Sequence, residues 1–122
     1  MSLTILHAKL LYVAQDGLQL RNLVESYHVI LDDGYRLDFP RSEQGPTATA
    51  LLELLRASYV WLEGYDDDAD NFVEIATDDA LVLVSDAETW RPPFRLSLNV
   101  WITPKGLDAL GAALASLRPA TP

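Results

Sequence analysis

Glu63 and Glu74 are the residues whose type and placement come nearest to general acid–base chemistry. Each lies in a short segment where apolar and polar residues alternate, and the parity of two neighbouring strands would turn the carboxylates toward each other. Such a pair can serve as acid and base, although facing carboxylates at strand ends are more often simply solvated. Between them, Asp66, Asp68 and Asp70 match the alternating ligands at the first, third and fifth positions of a calcium loop. The match then fails, because Asn71 stands where glycine is needed and Thr77 where the bidentate glutamate should be. The expectation is a solvated acidic loop with no metal site. His7 and His28 lack any ligand spacing. No serine sits in a nucleophile elbow, no glycine-rich phosphate loop is present, and there are no cysteines. No cofactor is expected. An enzyme or small-ligand binder built around Glu63 and Glu74 stays open as one reading.

The placement of aromatic residues is more informative. From Leu96 to Ile102 the even positions Leu96, Leu98, Val100 and Ile102 form one apolar face, so Trp101 shares the other face with Ser97 and Asn99. Trp61 likewise lies opposite Val60 and Leu62, and Phe72 opposite Val73. If these strands are neighbours, Trp61, Phe72 and Trp101 share the second face of a sheet. Either a helix of the same chain covers that face, or it is a contact surface for a protein partner or a second copy, since tryptophan is enriched at interfaces. Leu107, Leu110, Leu114 and Leu117 repeat at three, four and three, a narrow seam that offers a second association surface and a route to a homodimer.

These side chains must be positioned by the elements around them. Leu3, Leu6, Leu10, Val13 and Ala14 follow the helical period, and Gly17 marks the stop. Leu20, Leu23 and Val24 fit another turn or two of helix. Residues 27–39 alternate around Asp32-Asp33-Gly34, a hairpin signal. Pro40 to Pro46 reads as a polar loop, and Pro46 or Thr47 then opens a mostly buried helix to about Tyr59, with Thr49, Glu53 and Arg56 as its polar stripe. Strands are expected over 60–62, 72–75 and 96–102, and a strand buried on both faces at Leu81–Val84. Glu88 to Arg95 reads as a proline-fixed loop. Thr103 and Pro104 open a closing helix that Pro119 ends.

Two stretches resemble the winged-helix family. Residues 50–60, Ala-Leu-Leu-Glu-Leu-Leu-Arg-Ala-Ser-Tyr-Val, are similar to a recognition helix running into the first wing strand. Val100-Trp101-Ile102-Thr103-Pro104-Lys105-Gly106-Leu107 is similar to the segment that ends the wing and opens the last helix. The departures are Ser58 in place of the family's usual glycine, about forty residues between the two motifs, and a strand-like pattern at Tyr27–Phe39. The resemblance implies a DNA-binding regulator that reads bases with Thr47, Thr49 and Arg56 and touches phosphate with Arg36 and Lys105. It also implies dimerisation through terminal helices.

Charge weighs against nucleic acid. Nine basic residues against 18 acidic ones give a net charge of −9, whereas DNA affinity rests on a dense basic footprint. At 122 residues and 49% hydrophobic, the chain fits one domain with a core of its own. No apolar run is long enough to cross a bilayer, and without an export signal the cytoplasm is the expected location. The expected fold is α+β, a winged-helix-like plan with an enlarged antiparallel region and a C-terminal helix. The expected function is non-enzymatic: a small acidic protein-interaction or regulatory domain.

Overall fold

The computed structural model describes residues 2–94 and 96–117. Its first helix, α1 (Ile5–Val13), starts at Thr4, whose hydroxyl accepts the His7 N–H at 3.3 Å while His7 Nδ1 accepts the Thr4 N–H at 2.9 Å. This is a capping box with histidine in the usual place of glutamate. The helix tightens into a 3₁₀ turn at Ala14–Asp16 and stops at Gly17, whose φ of 71° lies in the left-handed region. Strand β1 (Leu18–Gln19) follows, then a 3₁₀ turn at Leu20–Val24. Strands β2 (Tyr27–Ile30) and β3 (Arg36–Phe39) form the expected hairpin, pairing Tyr27 with Phe39 and Ile30 with Arg36 as a separate two-stranded ribbon.

Helix α2 (Gln44–Arg56) begins three residues before Thr47, so Pro46 falls inside its first turn and part of the expected loop is helix. Thr47 is neither cap nor surface. It is fully buried, and its hydroxyl donates to the Glu43 carbonyl at 2.6 Å and pairs with Ser42 Oγ at 2.6 Å. Strands β4 (Val60–Asp66) and β5 (Asn71–Ile75) come next.

The strand expected at Leu81–Val84 is instead part of helix α3 (Thr77–Ser85). Four consecutive apolar residues carry no period. The burial does: Ala80 and Val84, four apart, face the core, while Val82 is 70% exposed. Asp78 and Asp79 lie in the first turn, where the helix dipole favours negative charge. A 3₁₀ turn (Ala87–Trp90), strand β6 (Leu98–Ile102) and helix α4 (Pro104–Leu117) complete the chain. Thr103 caps α4 by accepting the Gly106 N–H at 3.0 Å. Pro119 lies outside the described residues.

The main sheet is antiparallel, in the order β1-β6-β4-β5. Its inner face, Val60, Leu62, Leu98 and Val100, shares one core with Leu10 and Leu11 of α1, Leu51, Leu54 and Leu55 of α2, Val84 of α3 and Leu110 of α4. The four helices of the described residues therefore lie on one side of the sheet, and the fold is α+β with a C-terminal helix. Gly106 lets α4 approach the backbone at Tyr59, since a Cβ there would overlap the Tyr59 carbonyl. Among the described residues, no helix is long and apolar enough to cross a membrane.

Candidate functional site

Alternation along β4, β5 and β6 sends one set of side chains to the helices and the other set outward. The outward set is brought together by register: Trp61 stands opposite Trp101, Glu63 opposite both Asn99 and Glu74, and Tyr65 opposite Phe72. The sharing of one face by Trp61, Phe72 and Trp101, and the facing of Glu63 and Glu74, are as expected from parity. The two indoles stack with centroids 6.2 Å apart and planes at 18°, and Tyr65 and Phe72 meet edge to face at 5.3 Å. Both are favourable arrangements for aromatic quadrupoles. Between the two aromatic pairs, Asn99 Nδ2 donates to Glu63 Oε1 at 3.0 Å and fixes that carboxylate.

This face is covered at one end only. Near β6 the turn ending at Gly17 lies against Trp101, and the indole N–H there is buried with no acceptor among the described residues. Over β4 and β5 the face opens: Tyr65 is 39% and Phe72 42% exposed, Glu74 is exposed, and Trp61 and Glu63 are half-buried. Strand β5 is an edge of the sheet, as β1 is at the other side, and Val73 on its inner side is also exposed. Under the inner face at this end of the sheet, Gly64, Val73, Ile75, Leu83, Leu96 and Leu98 line a cavity of about 440 Å³ rimmed by Asp66, Asp67 and Asp68.

The chain running through this hairpin and on into α3 is strongly acidic. From Glu63 to Glu88 the sequence holds Glu63, Asp66, Asp67, Asp68, Asp70, Glu74, Asp78, Asp79, Asp86 and Glu88, and no lysine or arginine. That segment forms the hairpin β4–β5 and helix α3. Among the described residues no cation pairs with Glu63 or Glu74. In the hairpin turn, Asp66 Oδ1 accepts the N–H groups of Asp68 (3.0 Å) and Ala69 (3.4 Å). The Tyr65 hydroxyl donates to the Asp70 carboxylate, which pushes the phenol pKa up. These carboxylates turn onto their own loop, and no group of three or more metal-ligating side chains gathers among the described residues.

The other residues singled out from sequence are dispersed. Leu110 is buried in the core; Leu114 packs partly buried against it; Leu107 is 47% exposed. The leucine seam therefore faces the chain's own α1 for much of its length. Of the residues considered for DNA, Thr47 is buried, which rules it out as a base reader. Arg36 Nε donates to Asp38 at 2.8 Å on the hairpin. Lys105 Nζ donates to the Ala57 carbonyl at 2.9 Å and sits over the Tyr59 ring at 5.3 Å, closing the C-terminal end of α2. Thr49 and Arg56 are exposed on α2.

Two buried polar groups carry no local sequence signal. Lys9 is fully buried, and its ammonium donates to the carbonyls of Glu25 (3.1 Å) and Pro40 (3.0 Å) and to Ser42 Oγ (2.8 Å). His7 Nδ1 accepts from the Thr4 N–H, which puts the ring proton on Nε2, and Nε2 donates to Glu53 Oε1 at 3.1 Å, joining α1 to α2. Both groups are satisfied within the fold and face away from the open sheet surface. No protein-family model, no curated protein and no solved structure matches this chain.

Proposed function

We propose that this chain is a protein-interaction domain whose contact surface is the open half of the outer sheet face, centred on Trp61, Glu63, Tyr65, Phe72 and Glu74. One observation carries the reading: an edge-to-edge array of aromatic rings and carboxylates lies on the side of the sheet away from all four helices, and Tyr65 and Phe72 remain about two-fifths exposed. Large aromatics left in solvent around fixed polar groups are the usual composition of a recognition patch. Catalysis is less well supported, because Glu63 is held by Asn99 and the face has no enclosing walls that would exclude water.

The test is co-purification from the source cells with a tagged full-length chain and with a Trp61→Ser/Phe72→Ser chain. Proteins retained by the first and lost by the second support the assignment. An unchanged set retained by both would place the contact surface elsewhere.

A further inference from the structure

Among the described residues, strand β5 (Asn71–Ile75) is one of the two edges of the four-stranded sheet, the longer of them, and it is exposed on both of its faces. Phe72 (42% exposed) stands on the outer face and Val73 (41%) on the inner one. An edge strand carries a row of backbone donors and acceptors without partners in the sheet, and proteins blunt such edges with short strands, charged side chains, bulges or a covering element. Here the neighbourhood invites a fifth strand. On the inner side, Val73, Ile75, Leu83 and Leu96 line the cavity of about 440 Å³. On the outer side stand Glu74, Glu63 and the Phe72 ring.

We infer that β5 takes up an extended, basic segment of a partner protein as a fifth strand, with lysine or arginine on its outward positions and apolar residues on its inward ones. This deepens, and rests on, the contact-face reading above. Backbone pairing supplies the affinity, and the alternation of side chains supplies the specificity. An outward cation would lie beside Glu74, next in line to Glu63, and over the face of Phe72, where a carboxylate and a π cloud attract it together. An inward valine or leucine would extend the apolar floor over Val73 and Leu83.

Charge complementarity selects this occupant over a second copy. The segment from Glu63 to Glu88 holds ten acidic residues and no basic one. Joining two copies edge to edge through β5 would bring those two segments together, and like charges across a forming interface oppose association.

The experiment is fluorescence anisotropy with the full-length chain and a labelled peptide alternating lysine with valine, at low salt. A second peptide has the same side chains with its amides N-methylated, and a third replaces lysine with glutamate. The expected result is saturable binding of the first peptide alone, weakened about tenfold by Glu74→Gln, the loss of roughly one charge-assisted hydrogen bond. Equal binding of the N-methylated peptide would overturn strand addition and leave only attraction of cations to an acidic surface. No saturable binding of the first peptide would overturn it as well. If co-purification then still depended on Trp61 and Phe72, the contact face would stand while the strand mode fell; if neither held, both readings would fall. A doubled molar mass of the chain by light scattering, with the lysine–valine peptide excluded, would overturn it in favour of a second copy on the edge.

Discussion

Glu63 and Glu74 stand directly opposite each other on β4 and β5, and Asn99 donates to the first of them. Among the described residues neither carboxylate has a cation partner. Like charges directly across a ladder destabilise it by about 0.2–1 kcal/mol. Glu74→Gln is therefore expected to stabilise the fold by that amount at low salt, with the gain shrinking as salt screens the pair. Thermal unfolding of both chains at low and high salt checks this. A stability gain at the expense of peptide binding would mark the pair as kept for contact. A loss of stability on substitution would show that Glu74 holds the sheet together.

Gly17→Ala is expected to be severely destabilising, by about 2–4 kcal/mol. Gly17 has a φ of 71°, which carries a penalty for any residue with a side chain, and the new methyl would overlap the Trp101 ring. Urea unfolding of Gly17→Ala, Trp101→Ala and the double variant forms a cycle. The double variant should lose less than the sum of the singles, because the overlap exists only while both groups are present. Strict additivity would contradict the contact.

Lys9→Met is expected to lose about 1–3 kcal/mol, since the part-buried carbonyls of Glu25 and Pro40 would lack their donor. Burial lowers the Lys9 pKa from 10.5; the Glu25 carboxylate opposes that shift, and the Arg41 guanidinium adds to it. Between the lowered value and 10.5 the unfolded chain holds a proton that the folded chain has released. The contribution of Lys9 to stability thus rises with pH across that window and is constant below it. The stability difference between wild type and Lys9→Met, followed from neutral pH upward, should grow. A decline would mean that the three acceptors hold the ammonium charged more firmly than burial discharges it.

Much of this architecture is legible in the alternation. Val60–Leu62, Phe72–Ile75 and Leu98–Ile102 each keep period two, and that parity alone places Trp61 with Trp101 and Glu63 with Glu74. The same method fails at Leu81–Val84, where four apolar residues in a row fit a strand as well as a helix. Only the acidic first turn distinguishes them, and it can equally be taken for charge flanking a strand. The buried Lys9–Ser42–Thr47 network is invisible for a different reason. Lys9 lies 33 residues before Ser42 in the chain, and a lysine or threonine on a helix defaults to the surface until tertiary contacts give it partners. The coverage of Trp101 by Gly17 is hidden in the same way, being a contact between residues distant in sequence.

DNA titration at low salt should show no sequence-dependent binding. Thr47 is buried, Arg36 is held by Asp38 and Lys105 by the Ala57 carbonyl, so that Thr49 and Arg56 remain on a chain of net charge −9. Binding that weakens steeply with salt and depends on Arg56 would instead support the winged-helix likeness as a functional one.

Site-specific photo-crosslinking in the source cells locates the contact surface. A benzophenone side chain is placed at position 72 on the open face, and, as a control, at position 49 on the outer side of α2, both residues being exposed. A discrete adduct of a second protein is expected from position 72 and none from position 49. An adduct from position 49 alone, or none from position 72 in cells that produce the chain at its normal level, would contradict the assignment of that surface.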